Sequence, residues 1–228
     1  MVTQASFRDR KDAGQALAKE IDAFAFENPV VLALPRGGVP VGFEVAKALG
    51  APLDVLMVRK IGAPGHEEYG IGALVDGAAP QVVIDEDAAR MAGANQDYID
   101  MQIARQLAEI ERRRALYRTG PAISLAGRTA IVVDDGIATG RTVRAALKAL
   151  ARARPAKIVL AVPLAPDEVL PELEPLCDQV ICLASPFPFY AVGMHYLRFD
   201  QTSDEEVVRL LAEAKLWEKP GVRETEAN

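Results

Sequence analysis

Cysteine is all but missing from this chain: Cys177 and Cys182 are the only two, five positions apart and in no Cys-x-x-Cys arrangement. Two thiols at that spacing give neither a disulfide framework nor a zinc site, so a reducing cytoplasm is the expected compartment. Buried small apolar side chains are their expected role. A positive balance is missing as well. Lys and Arg number 26 against 32 Asp and Glu, a formal charge of −6, and no overall basic character advertises a nucleic-acid partner. No apolar run approaches the ~20 residues needed to span a bilayer. The opening Met-Val-Thr-Gln-Ala-Ser-Phe-Arg-Asp-Arg has no apolar signal core, so no membrane role is expected. No internal repeat or low-complexity linker divides the chain. What remains is a soluble globular composition, 50% hydrophobic and 25% charged over 228 residues, enough for one α/β domain with embellishments.

The most informative stretch runs from Thr129 to Thr142. The apolar run Ala130-Ile-Val-Val133 ends abruptly in Asp134-Asp135. A loop of small residues follows, then an alanine-rich helical pattern. That order places both carboxylates at the carboxyl end of a buried strand. It places Gly136 to Thr142 at the start of a helix, where unpaired N–H groups and the helix dipole favour a phosphate. Two acids beside a phosphate cradle suit a sugar phosphate, with the acids on ribose hydroxyls, directly or through Mg²⁺, and the loop on the 5′-phosphate. The plain alternative is an ordinary strand–turn–helix with an acidic turn. No Gly-Lys-Ser/Thr and no Gly-x-Gly-x-x-Gly follows the strand, so neither a Walker loop nor a dinucleotide fingerprint is present.

Around this stretch the chain alternates strand and helix. Phe7, Leu17, Ile21 and Phe24 share one face of a helix over roughly 8–26. Val30 to Leu34 reads as a strand buried on both faces, ending in Pro35-Arg-Gly-Gly38, with a helix to Leu49. Asp54 to Arg59 is the next strand, ending in Arg59-Lys60. Residues 61–80 form a glycine-rich loop or hairpin, and Gln81 to Ile84 a short strand. Residues 86–118 read as helix, with Ile99, Ile103, Leu107, Ile110 and Leu116 against a charged face, an insertion before the diagnostic strand. A helix (142–153), a strand (157–162), a short helix (166–174) and a strand (179–183) follow. A proline- and aromatic-rich loop covers 185–196, and a last helix runs from Asp204 to Trp217, with the tail from Glu218 frayed. This rhythm predicts an α/β fold, a doubly wound, mostly parallel sheet with ligands at the carboxyl ends of its strands. Three such ends carry chemistry: Arg36-Gly37-Gly38, Arg59-Lys60 and Asp134-Asp135.

Each has a plain alternative. Arg36-Gly37-Gly38 offers unobstructed backbone amides and one guanidinium, or is a tight turn with a solvent-facing arginine. Arg59 and Lys60 can neutralise a diphosphate, or form a solvated basic pair. Phe187, Phe189 and Tyr190 could stack on a planar base, or plug the core edge. Arg112, Arg113, Arg114 and Arg118 read as a solvated face or subunit contact rather than a nucleic-acid patch.

The stretch 129–142 resembles the 5-phosphoribosyl 1-pyrophosphate (PRPP) binding motif of type I phosphoribosyltransferases. A closer likeness, over nearly the whole chain, is to a group of bacterial phosphoribosyltransferases of unassigned substrate. It rests on Leu34-Pro-Arg-Gly-Gly-Val-Pro-Val41, Arg59-Lys-Ile-Gly62, the Glu-Arg-Arg and Tyr-Arg of the insertion, Phe189-Tyr-Ala-Val-Gly193 and Asp204-Glu-Glu-Val207. The resemblance implies a single phosphoribosyltransferase-like domain over 1–228, with the helical insertion, a hood at about 185–200 and the C-terminal helix. It implies transfer of the phosphoribosyl group from PRPP to a nitrogenous base, with Mg²⁺ and release of pyrophosphate. Asp134 and Asp135 would serve the ribose and, through PRPP or water, the metal, and would be catalytic together with Arg59 and Lys60. Ile137, Ala138, Thr139, Gly140, Arg141 and Thr142 would hold the 5′-phosphate. Arg36, Gly37 and Gly38 would hold pyrophosphate on a turn that in this family often contains a non-proline cis peptide. Phe187, Phe189 and Tyr190 would cover the base. Ile61 to Gly72 would be the flexible catalytic loop, with His66, Glu67, Glu68 and Tyr69 able to reach substrate when it closes. The implied protein is cytoplasmic and homo-oligomeric, a dimer in the first instance, and binds no nucleic acid.

One departure concerns the base. Hypoxanthine/guanine-type members usually carry Asp where this chain has Ala138, directly before Thr139-Gly140. Adenine-type members carry Ala-Thr-Gly, but lack the long insertion and this hood. Two other classes remain: a regulator that binds PRPP or a nucleotide without catalysis, and a hydrolase of PRPP-like compounds.

Overall fold

The computed structural model describes residues 7–76, 80–117 and 123–217; Arg118 and the tail from Glu218 lie outside them. Five parallel strands form the main sheet: β1 (Pro29–Ala33), β2 (Leu53–Val55), β6 (Thr129–Val133), β7 (Lys157–Leu164) and β8 (Gln179–Ala184), in the order β2-β1-β6-β7-β8. Three antiparallel strands form a second sheet: β3 (Val58–Ala63), β4 (His66–Val75) and β5 (Gln81–Ile84). The helices are α1 (Arg10–Asp22), α2 (Gly38–Leu49), α3 (Glu86–Met91), α4 (Gln96–Tyr117), α5 (Arg141–Arg152), α6 (Leu170–Leu173) and α7 (Asp204–Ala214).

The period-2 alternation of a strand divides the main core. Val31, Ala33, Ile131 and Val133 turn to one face, against Leu17 and Ile21 of α1, Val41 and Val45 of α2 and Leu210 and Leu211 of α7. Val30, Leu32, Ala130 and Val132 turn to the other, against Val143, Ala146, Leu147 and Leu150 of α5. Helices thus cover both faces, which is why these strands read as unbroken apolar runs. Asp9 starts α1 by accepting the Asp12 N–H at 2.9 Å, and Ser203 starts α7 by accepting that of Glu206 at 3.2 Å. The first helix is shorter than its apolar pattern. It ends at Asp22, and Ala25 and Asn28 take positive φ, so Phe24 and Phe26 stack on each other beyond it.

Several expectations need correction. The apolar run from Asp54 to Arg59 is not one strand. Leu56 N–H still reaches Ala33 O of β1, but Met57 O accepts from Asp76 N–H at 2.8 Å, and the chain passes into the second sheet. Arg59 and Lys60 therefore lie inside β3, opposite Leu74 and Ala73, rather than at the end of a main-sheet strand. Of the loop or hairpin read over 61–80, the hairpin is the form taken, with β3 and β4 joined at Pro64-Gly65. The insertion is also two helices: Asp85 caps α3, and after a break at Gly93 Asn95 caps α4. Ile99 and Ile110 are buried as expected, but Tyr117, two turns after Ile110, takes the inward place expected of Leu116. With the second sheet these helices enclose their own core of Ile61, Ala63, Ile71, Ala88, Ala89 and Ile99, and Tyr98 donates its hydroxyl to Gly62 O at 3.0 Å. The expected lid and the expected insertion are one packed unit.

Candidate active site

Strands β1 and β6 are neighbours in register, Ala33 opposite Val133, so the turns that leave them emerge side by side. Leu34 N–H bonds Val133 O at 2.9 Å, and the next peptide, Pro35–Arg36, is cis. The turn then presses on the acids. A Cβ on Gly37 would lie 2.1 Å from Asp135 Oδ2, and one on Gly38 2.7 Å from Val133 O. Only glycine allows that approach.

The acids have distinct surroundings. Asp134 Oδ1 accepts the Asp135 N–H at 2.9 Å. Burial, then the neighbouring Asp135 carboxylate, push the Asp134 carboxyl well above the ordinary carboxylate range. Asp135 Oδ2 accepts Nε–H of Arg10 at 2.7 Å, and its backbone oxygen accepts the Tyr196 hydroxyl at 2.6 Å. Among the described residues no group of three or more His, Cys, Asp or Glu gathers as a metal cluster. Two carboxylates, one with an oxygen held by an arginine, fit Mg²⁺ carried on a substrate's phosphates and water rather than a cage of side chains.

Gly140 starts α5 with φ +69°, and a Cβ there would meet Val169 Cγ1 at 2.7 Å, so glycine is needed twice over. No side chain caps this helix, which leaves its first-turn amides for an anion. Ala138, Thr139, Arg141 and Thr142 are exposed around that end. Ile137 is a correction. Its side chain is 2% exposed and its N–H bonds Leu164 O at 2.8 Å, so it anchors the loop to β7 and has no amide left for a phosphate.

Thr139, Arg141 and Thr142 also border a cleft of about 1330 Å³ whose opposite wall is the second sheet and α4, including Arg59, Lys60 and Arg105. Lys60 Nζ reaches Glu68 Oε2 at 3.0 Å, and Arg59 donates Nε–H to Gln106 Oε1 at 3.1 Å. Arg36 leans the other way, 3.7 Å from Asp204 Oδ1, which also accepts the Tyr117 hydroxyl. Burial, then that bond to Asp204, push the Tyr117 hydroxyl up to about 12. The fold therefore joins Arg36-Gly37-Gly38 to Asp134-Asp135, and Arg59-Lys60 to the start of α5. The acids do not border the cleft.

Of the hood residues, Phe187 and Tyr190 are exposed, 89% and 73%, with faces free for a ligand. Phe189 is not free. It packs 5.1 Å from the His195 ring and against the cluster of Ala13, Leu164 and Tyr196. The loop lies over the acids' turn, since a Cβ on Gly136 would meet Val192 Cγ1 at 2.6 Å. His66 is exposed at the tip of the β3–β4 hairpin. Arg112 and Arg113 pair with Glu109, and Arg114 with Asp76 and Glu111. Sequence reasoning missed the roles of Arg10, Tyr117 and Tyr196, and named Asp204 only as the start of the last helix and within a motif of the resemblance. Arg10 and Tyr196 carry no local motif.

Residues 7–197 match the family described as phosphoribosyl transferase domain. A Mycobacterium tuberculosis H37Rv protein, provisionally named a phosphoribosyl transferase, is 47% identical over 210 residues, covering 91% of this chain and 47% of its own. The chain thus spans about half the length of the curated relatives it matches. The crystal structure of TT1426 from Thermus thermophilus is similar at 41% identity and TM-score 0.78, over 91% of this chain and 98% of that one. A Roseiflexus protein named bifunctional protein PyrR is 45% identical over 85 residues, 27% of this chain and 46% of its own.

Proposed function

The chain belongs to the phosphoribosyl transferase domain family, and from that premise we propose that it moves the 5-phosphoribosyl group of PRPP to a nitrogenous base and releases pyrophosphate. One observation carries the proposal: the glycine turn after β1 lies against Asp135, 2.1 Å from a Gly37 Cβ to Oδ2, beside the uncapped start of α5. Diphosphate, ribose and 5′-phosphate sites are then contiguous. In the reaction the bond from C1 to the diphosphate breaks and one to the base nitrogen forms, through a ribosyl cation-like state. The protein supplies orientation and charge rather than a nucleophile.

The α5 amides with Ala138, Thr139, Gly140, Arg141 and Thr142 hold the 5′-phosphate. Asp134, whose carboxyl burial pushes well above the ordinary carboxylate range, and Asp135 hold the ribose hydroxyls. Arg36, Gly37 and Gly38 take the leaving diphosphate. Arg59 and Lys60, across the cleft, meet the phosphates from the other side. Mg²⁺ bound to PRPP would neutralise the diphosphate as it departs. Phe187 and Tyr190 face the base. The protein works in the cytoplasm as a homo-oligomer, with a dimer the first state to test.

Release of pyrophosphate from Mg·PRPP, assayed against a panel of purine, pyrimidine and other heterocyclic bases, tests the transfer. Base-dependent release supports it; ribose 5-phosphate formed with no base requirement contradicts it and points to a hydrolase. A second reading, a PRPP- or nucleotide-binding regulator, draws on two cations that already have carboxylate partners, Lys60 with Glu68 and Arg36 with Asp204. Binding without release under every base would favour it.

A further inference from the structure

Arg10 opens α1, where a cation meets the positive end of the helix dipole, a placement that local electrostatics disfavour. Its partners are distant in sequence. Nε–H goes to Asp135 Oδ2 at 2.7 Å, an Nη1 hydrogen to Asp200 O at 2.6 Å, and the guanidinium lies 3.9 Å over the Phe199 ring. Carboxylate, carbonyl and ring face together fix the planar group. Only 12% of the Arg10 side chain and 14% of the Asp135 side chain are exposed. The start of α1 is itself laced to the segment that carries these partners. Leu197 N–H bonds Phe7 O at 3.0 Å, Arg198 N–H bonds Arg8 O at 2.9 Å, and Arg198 Nη2 reaches Asp9 Oδ2 at 2.5 Å. Tyr196 from the same segment holds the Asp135 backbone oxygen. Asp135 is thus gripped at its backbone and at Oδ2, and its carboxyl also lies against that of Asp134.

We infer that Arg10 is a positioning residue: by taking Oδ2 it turns Asp135 so that Oδ1 is the oxygen presented to the ribose hydroxyls of a bound sugar phosphate. The inference rests on the sugar-phosphate reading of the site. It separates from a plain structural staple, because Arg10 acts on the ribose half of the donor and not on the diphosphate half, which belongs to Arg36, Gly37 and Gly38.

The test is calorimetric titration of the full chain with ribose 5-phosphate and, separately, with inorganic pyrophosphate, both with Mg²⁺, for wild type, Arg10→Ala, Arg10→Gln and Arg10→Lys. Arg10→Ala should weaken ribose 5-phosphate about tenfold or more and leave pyrophosphate within about twofold. Arg10→Lys, which restores the charge without the fork, should recover part of the loss; Arg10→Gln, which keeps hydrogen-bonding capacity without charge, should recover less. Thermal melts of each variant identify any that fail to fold. Equal losses for both ligands, or none for either, overturn the inference while leaving the donor reading in place. Wild type that binds neither ligand overturns the donor reading, and the inference with it.

Discussion

Replacing Gly37 with alanine adds one methyl group at the point where the two strand ends meet. The backbone there, φ −59° and ψ −35°, suits alanine, so the whole effect is steric. The new Cβ would lie 2.1 Å from Asp135 Oδ2 and 2.6 Å from its Cγ, so the carboxylate must retreat by more than an ångström to reach ordinary contact. It cannot retreat freely, because Arg10 holds that same oxygen at 2.7 Å in a largely buried pair. Either the turn shifts or the ion pair opens. Overpacking of this kind costs about 1–3 kcal/mol. At ~2–4 °C per kcal/mol for a chain of this size, the melting temperature should fall by about 2–12 °C. Displacement of Asp135 by an ångström should also weaken Mg·PRPP at least about tenfold. Calorimetric melting and a PRPP titration of the Gly37→Ala protein measure both. A variant with wild-type melting and wild-type affinity would show that the turn does not bear on Asp135, and the argument for a contiguous site would fail.

Further outcomes are expected from the same geometry. Asp134 has a raised carboxyl pKa, so its unfolded form gives up a proton more readily and stability is lost as pH rises above the ordinary value of 3.8. Asp134→Asn should therefore melt higher than wild type at neutral pH, with the gain shrinking as pH falls towards 4; an unchanged gap across that range would refute the assignment. Tyr196→Phe leaves the Asp135 backbone oxygen without the hydroxyl now 2.6 Å away and should cost about 1–3 kcal/mol in denaturant melts, against no measurable loss if that bond is idle. His195 is 1% exposed, both ring nitrogens lack partners among the described residues, and burial lowers its pKa below the ordinary 6.5. Stability should fall as pH drops below about 6.5, and His195→Phe should remove that fall, whereas parallel pH profiles for the two proteins would contradict it.

What the sequence revealed and what it hid divide along physical lines. β1 and β6 were legible because strands covered on both faces need unbroken apolar runs, and their abrupt ends in Arg36-Gly37-Gly38 and Asp134-Asp135 marked the edge where the two turns meet. The run through residues 54–59 misled: no glycine or proline marks where Leu56 leaves β1 and Met57 joins the second sheet. Arg59 and Lys60 were set at the end of a main-sheet strand, whereas they lie inside β3. Ile137 looked like a phosphate-holding residue because it lies between Asp135 and Gly140; only tertiary contact shows its amide spent on Leu164. Phe189 and its neighbours Phe187 and Tyr190 are alike in sequence, and burial alone separates them. Arg10 was beyond reach: its carboxylate partner lies 125 residues away, and no local pattern marks such a pair.

The central claim is that Asp134-Asp135, the glycine turn and the start of α5 together bind PRPP. Titrating Mg·PRPP into wild type and into Asp135→Asn by calorimetry tests it most directly. Saturable binding to wild type, lost or sharply weakened in a variant that still melts cooperatively, is the result expected. Equal binding by both proteins, or none by wild type, would contradict the claim.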